Sequence, residues 1–173
     1  AKNGYASAMN FTLLTHFKEL PKRSNTGRLV VDVLGTAAEQ VRWDRMHPPS
    51  GLVEEIGDGG VALVFPGGED SRHNDLTGIS RCIIVDGTWV EARRIYQRSP
   101  YLHNIRRICI RPDGKSRYNL RKNQKESCLC TAECVIEILR YAGNQEAAER
   151  LEQAFLNFIR PAGVMRGAVA KAL

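Results

Sequence analysis

Two short apolar runs constrain this chain more than any other feature. Val61-Ala-Leu-Val-Phe65 stops at Pro66-Gly67-Gly68, and Cys82-Ile-Ile-Val85 stops at Asp86-Gly87. Neither run alternates apolar with polar residues, so neither suits a strand with one wet face. Continuous apolarity over so short a length marks a strand covered on both sides, as in parallel sheets flanked by helices. The stretches between such strands must then supply the helices.

The rest of the chain meets that demand. Asn10-Phe-Thr-Leu-Leu-Thr15 predicts a first strand, and Thr26 to Leu34 a helix, with Asn25 or Thr26 giving the N-cap oxygen and Gly35 ending it. Gln40 to Trp43 predicts a second strand, and Pro48-Pro49-Ser50 opens a short helix to about Ile56. Thr88-Trp-Val-Glu91 is an S/T-x-x-E capping box, which predicts a helix to about Gln97. Arg106 to Ile110 predicts another strand. Thr131 to Tyr141 predicts a helix whose Ala132, Val135, Ile136 and Leu139 form one apolar stripe. Gly143 stops it, and Asn144 caps a last helix reaching roughly Phe158. Strands alternating with helices predict an α/β domain with a largely parallel sheet. The 173 residues show no repeat and no linker, so one domain is expected.

Charge adds a partner class. The chain carries a formal +6, but from Arg93 to Lys125 eleven Lys or Arg face one acid, Asp113. That stretch alone is +10, and the remaining residues sum to −4. Local positive charge of this density points to a polyanion. No apolar run approaches the roughly 20 residues of a membrane helix, and the N-terminal residues do not read as a secretory signal. Five cysteines, Cys82, Cys109, Cys128, Cys130 and Cys134, are an odd number without the second half of a zinc site. Reduced thiols in a cytoplasmic protein are the expectation, with no metal site. His16, His47, His73 and His103 have no ligand spacing.

Ligands of open α/β sheets bind beyond the carboxyl ends of the strands. Phe65-Pro-Gly-Gly68 and Asp86-Gly-Thr-Trp89 both lie there, and neither matches a nucleotide-phosphate motif. Asp86 can stabilise the turn and the positive helix end, or serve as a general base or ligand anchor at the strand end. Ser116-Arg-Tyr-Asn-Leu-Arg-Lys122 joins cations to an aromatic, which suits phosphate contact and base stacking. Lys22-Arg23-Ser24-Asn25-Thr26-Gly27-Arg28 brings cations and polar donors to a helix start, either for an anion or for ordinary capping. Glu133 opens the helix after Leu129 and is favourable there on electrostatic grounds alone.

In this order the clusters resemble the DTW-domain family. Its D-x-T-W is Asp86, Thr88 and Trp89, followed by Ala92 and by Ser99-Pro-Tyr-Leu102. Its S-x-Y-x-L-R-K is Ser116, Tyr118, Leu120, Arg121 and Lys122, and its S-T-x-E is Cys130, Thr131, Ala132 and Glu133. The upstream L-L-T-H and N-T-G-R elements are Leu13 to His16 and Asn25 to Arg28. The likeness covers roughly residues 11 to 160. It departs in two places. Cys130 stands where Ser is common, and a thiol is the weaker cap. Many members also carry an N-terminal cysteine cluster, whereas no cysteine precedes Cys82 here.

The resemblance implies a SPOUT-like fold with a C-terminal trefoil knot, an exception to the rule of unknotted chains. It implies transfer of the 3-amino-3-carboxypropyl group of S-adenosylmethionine to N3 of a uridine, usually in tRNA, with release of methylthioadenosine. Asp86 would be the catalytic carboxylate. The cofactor pocket would comprise Phe65, Pro66, Gly67, Asp86, Thr88, Trp89, Tyr118, Leu120, Arg121, Leu129, Cys130, Thr131 and Glu133. RNA would be held by Lys22, Arg23, Asn25, Thr26, Arg28, Arg93, Arg94, Arg117 and Lys122, with Arg121 or Asn25-Thr26 also suited to the cofactor carboxylate. An RNA methyltransferase on the same scaffold, or a non-catalytic RNA-binding protein, would share much of this surface.

Overall fold

Five parallel strands form one sheet in the order β2-β1-β4-β3-β5. The computed structural model describes residues 8–64, 76–110 and 129–160. In chain order its elements are β1 (Asn10–Thr15), α1 (Thr26–Leu34), β2 (Ala38–Arg42), α2 (Ser50–Asp58), β3 (Val61–Val64), β4 (Arg81–Asp86), α3 (Trp89–Gln97), β5 (Arg106–Ile108), α4 (Thr131–Tyr141) and α5 (Gln145–Ile159).

The two continuous apolar runs became β3 and β4, neighbours in the middle of the sheet and covered on both faces. Successive side chains of a strand point to opposite faces, and the two cores separate accordingly. Phe11 and Leu13 of β1, Ala62 and Val64 of β3, and Cys82 and Ile84 of β4 join one core with α1, α4 and α5. Leu14, Val61, Leu63 and Ile83 join the other, with Leu52 of α2 and Ala92 and Ile95 of α3. Fully burying each Leu, Ile or Val contributes about 1.5–3 kcal/mol, so the two-sided cover is what holds the central strands.

The predicted strand and helix ends shift by a few residues. β2 begins at Ala38, yet the Trp43 N–H beyond its end still donates to Thr15 O at 2.8 Å. β5 stops at Ile108 rather than Ile110. α2 runs past Ile56 to Asp58 because its stop is Gly59, whose φ of 84° is a conformation few other residues adopt. Among the described residues no helix is long and apolar enough to cross a membrane.

The chain leaves β1 towards β2 and leaves β4 towards β5, in opposite directions from two adjacent strands. The two departures run over opposite faces, α1 packing with the first core and α3 with the second. The crevice between such departures is the usual ligand site of open α/β sheets.

Candidate functional site

Asp86 closes β4 at that crevice and is 1% exposed. Its place follows from strand periodicity. Cys82 and Ile84 face the α1/α4/α5 core, so Asp86, two residues on, faces the same side. Thr15 is its register partner on β1, and Gln40 lies on the same side of β2.

Asp86 Oδ2 accepts from Asn25 Nδ2 at 2.8 Å and from Gln40 Nε2 at 3.4 Å. Thr15 Oγ1 lies 3.2 Å from both Asp86 Oδ2 and Leu13 O, so its one hydrogen serves either. Thr131 Oγ1 donates to Asp86 Oδ1 at 2.9 Å. One carboxylate thus joins β4, β1, β2 and the starts of α1 and α4. A buried carboxylate supplied with charge-assisted donors is a fixed negative charge, and the two helix N-termini around it add favourable dipoles.

The helix starts are interlocked. Asn25 Oδ1 accepts from Arg28 N–H at 3.1 Å, which makes Asn25 the N-cap of α1. Thr26 does not cap its own helix; its Oγ1 accepts from Ala132 N–H at 3.2 Å and so satisfies the first turn of α4. The weak cap expected of Cys130 is thereby offset from another helix. Glu133 accepts from Cys130 N–H at 3.0 Å. Gly27 is required by closeness: a Cβ there would stand 2.8 Å from Asp86 Oδ2 and 3.0 Å from Asn25 Oδ1.

On the other side of the turn, Thr88 and Glu91 form the predicted capping box, with Thr88 N–H to Glu91 Oε2 at 2.8 Å and Glu91 N–H to Thr88 Oγ1 at 3.3 Å. Burial alone would raise the Glu91 carboxyl. The Thr88 hydrogen bonds, with His16 and Glu19 beside it, outweigh burial and hold the group below its usual range. His16 Nδ1 is 3.7 Å from Glu91 Oε1, and the His16 backbone N–H donates to Asp86 O at 3.1 Å. Thr88 is exposed and Trp89 half-buried, so Trp89 is not a core residue. Beyond the end of α3, Ser99 is fully buried and its Oγ accepts from Trp43 Nε1 at 2.9 Å, while Leu102 is fully buried in the second core. This pair of the motif is a structural pin.

The predicted pocket comes together in part. Asp86, Thr88, Trp89, Thr131 and Glu133 lie on the loops and helix starts just described, with Leu129 and Cys130 immediately before α4. Phe65, Pro66, Gly67, Arg117, Tyr118, Leu120, Arg121 and Lys122 lie outside the described residues. Of the predicted RNA contacts, Lys22, Arg23, Arg28, Arg93 and Arg94 are exposed. Asn25 and Thr26, 3% and 2% exposed, instead direct their side chains inside the protein. Sequence reasoning missed Thr15 and Gln40. Their signal is the period of two along β1 and β2, which places both polar side chains on the Asp86 side of the sheet.

Against known proteins, the DTW domain family profile matches residues 2–162. A Drosophila melanogaster protein named tRNA-uridine aminocarboxypropyltransferase 2 is 39% identical over 57 residues, 33% of this chain and 23% of the relative. A Macaca fascicularis protein of the same name is 26% identical over 80 residues, 43% of this chain and 27% of the relative. The chain therefore spans about a quarter of the length of the curated relatives it matches. No solved structure matches it. With the family profile covering almost the whole chain and the D-x-T-W residues gathered at the crevice, the protein belongs to the DTW domain family.

Proposed function

We propose that this protein transfers the 3-amino-3-carboxypropyl group of S-adenosylmethionine to N3 of a uridine in tRNA, releasing methylthioadenosine. The observation that carries this reading is the Asp86 cradle at the β1/β4 crevice, in a DTW-family chain similar to relatives named tRNA-uridine aminocarboxypropyltransferase 2. A SPOUT-like arrangement with a C-terminal trefoil knot is part of the proposal, and the parallel sheet covered on both faces accords with it. So is a cytoplasmic setting.

The residues fit such a co-substrate. It is cationic at its sulfonium and amino groups and anionic at its carboxylate. Asp86 Oδ2 is occupied by its donors and closed off at Gly27. Oδ1 takes one described donor, Thr131, which leaves acceptor capacity for a cation. The starts of α1 and α4 supply the positive ends that suit a carboxylate. Of the two roles open to Asp86, base or anchor, its burial and its donors favour the anchor. S-adenosylmethionine supplies a sulfonium-activated γ-carbon, so no metal is needed to activate the leaving group. Uridine N3 then displaces methylthioadenosine: the N3–C bond forms, the C–S bond breaks with its electron pair going to sulfur, and the imide proton passes to water. Lys22, Arg23, Arg28, Arg93 and Arg94 are proposed to grip phosphates.

Purified protein incubated with tRNA and S-adenosylmethionine should yield one uridine carrying the added group, together with methylthioadenosine, by mass spectrometry. A methylated uridine with S-adenosylhomocysteine would replace this reading with a methyltransferase. RNA binding without either product would leave a non-catalytic RNA-binding protein.

A further inference from the structure

Phe17 sits two residues beyond β1, next to the Asp86 cradle, and is 50% exposed. A lone exposed apolar side chain needs no explanation, but this one is mounted. Its ring stacks on His16 with centroids 4.7 Å apart and planes at 28°. His16 in turn lies over Trp43 at 6.2 Å and 21°. The two inner rings are fixed: His16 and Trp43 are 3% and 8% exposed, Trp43 is tied to Ser99, and the His16 backbone is tied to Asp86. Phe17 is the outer ring of a stack whose inner members are pinned.

Two cations lie over that ring. Lys18 Nζ is 5.9 Å and the Arg42 guanidinium 6.0 Å from its centroid. The exposed acid nearest Arg42 in sequence, Asp44, is engaged locally with Met46 N–H at 2.8 Å and His47 Nδ1 at 3.1 Å. Arg42 and Asp86 are the register partners of Thr15 on either side. At about 4.8 Å between strands, the Arg42 backbone lies about 10 Å across the sheet from that of Asp86. An exposed aromatic ring backed by a pinned stack, with positive charge close over it, is the combination that holds a splayed nucleobase and its phosphates.

We propose that Phe17 is a stacking platform for an unpaired base of the RNA beside the target nucleotide, with Lys18 and Arg42 on the flanking phosphates. The proposal rests on the RNA-binding half of the reading above. It names an interaction that adds affinity with little sequence preference, because every base has a π-face. It also selects unpaired RNA over duplex, whose bases are already stacked.

The test is tRNA and duplex-RNA affinity across a salt series for the wild type, Phe17→Ala, Phe17→Trp, and Lys18→Ala with Arg42→Ala. Phe17→Ala should weaken tRNA binding about 5- to 150-fold, the range of one base–aromatic stack, with unchanged salt slope and unchanged duplex affinity. Phe17→Trp should restore binding. The double charge variant should lower the salt slope by about one for each phosphate no longer neutralised. Tm measured alongside should match the wild type for Phe17→Ala. Wild-type affinity in Phe17→Ala, failure of Trp to rescue, or an equal loss on duplex would overturn the platform while product formation keeps the transferase reading intact. A wild-type protein that neither binds tRNA nor forms product would overturn both.

Discussion

Asp86 is a buried charge whose donors come from Asn25, Gln40, Thr131 and, shared with Leu13 O, Thr15. Asp86→Ala would strand these donors without an acceptor at about 1–3 kcal/mol each, so Asp86→Asn is the informative change. Its oxygen can take the Asn25 side and its amide can donate to Thr131, since a hydroxyl also accepts. Gly27→Ala should cost about 1–3 kcal/mol, read as a lower denaturation midpoint, because the new methyl meets Asp86 Oδ2. Glu91 supplies a pH dependence. Its folded-state carboxyl is held below its usual range, so its contribution to stability is complete at neutral pH and fades as pH falls below the ordinary carboxylate value of about 4.3. Glu91→Gln should flatten that part of an acid-unfolding curve; an unchanged curve would remove Glu91 from the account. Burial pushes the Cys82 thiol up to about 12, and burial, then the Glu133 charge, raises Cys130. Peptide mapping after iodoacetamide treatment should find Cys82 modified only once the chain is unfolded.

The helices carry the cradle through their starts. α1, α3 and α5 begin at side-chain caps, Asn25, Thr88 and Asn144, and α4 borrows Thr26 from α1. Thr26→Val should therefore loosen α4 rather than α1, costing about 1 kcal/mol and showing as faster amide exchange in the first turn of α4. α4 is secured to α5 by Arg140, which bonds Glu152 at 2.6 Å and Glu137 at 2.8 Å. Leu139, 2% exposed in the first core, should cost about 2–5 kcal/mol when cut to Ala. At this scale most of the structure was legible in the sequence. Caps and stripes are local chemistry, and α1, α3 and α4 lie where Asn25, Thr88 and the Ala132-to-Leu139 stripe put them. What was not legible is where a side chain goes when its partner is distant in sequence. Thr26 reads as a cap or an RNA contact because nothing near it announces Ala132, 106 residues away. Strand ends failed for a related reason: β2 and β5 end where pairing with a neighbour ends, and that is not written in their own residues.

The whole molecule is a sheet with two unequal tasks at the carboxyl ends of its strands. On one face the cradle fixes a charge inside the crevice. On the other side of the turn, Arg93 and Arg94 of α3 are exposed, and at the start of α1 Lys22, Arg23 and Arg28 are exposed too, with Lys22 bonded to Glu19 at 2.6 Å and Arg28 to Leu20 O at 2.9 Å. The +10 segment contributes Arg93 and Arg94 to that surface, whereas Arg107 lies over Tyr96 at 4.8 Å and Arg106 donates to Thr77 O at 3.1 Å. Among the described residues of that segment, some cations are therefore also bonded within the protein. Binding to tRNA should fall steeply with salt, by about 10³–10⁵ between 50 and 200 mM if six to ten phosphates are contacted; a flat salt dependence would remove the basic surface from recognition. The central claim is that the Asp86 cradle holds the sulfonium co-substrate while the cations hold RNA, so the two should come apart. Methylthioadenosine release, S-adenosylmethionine affinity and tRNA affinity measured together for the wild type and Asp86→Asn test this most directly. Release and S-adenosylmethionine affinity should fall in step by at least about 10-fold, the loss of one charged hydrogen bond at about 1.5–3 kcal/mol, with tRNA affinity unchanged. Wild-type release from Asp86→Asn would contradict the account.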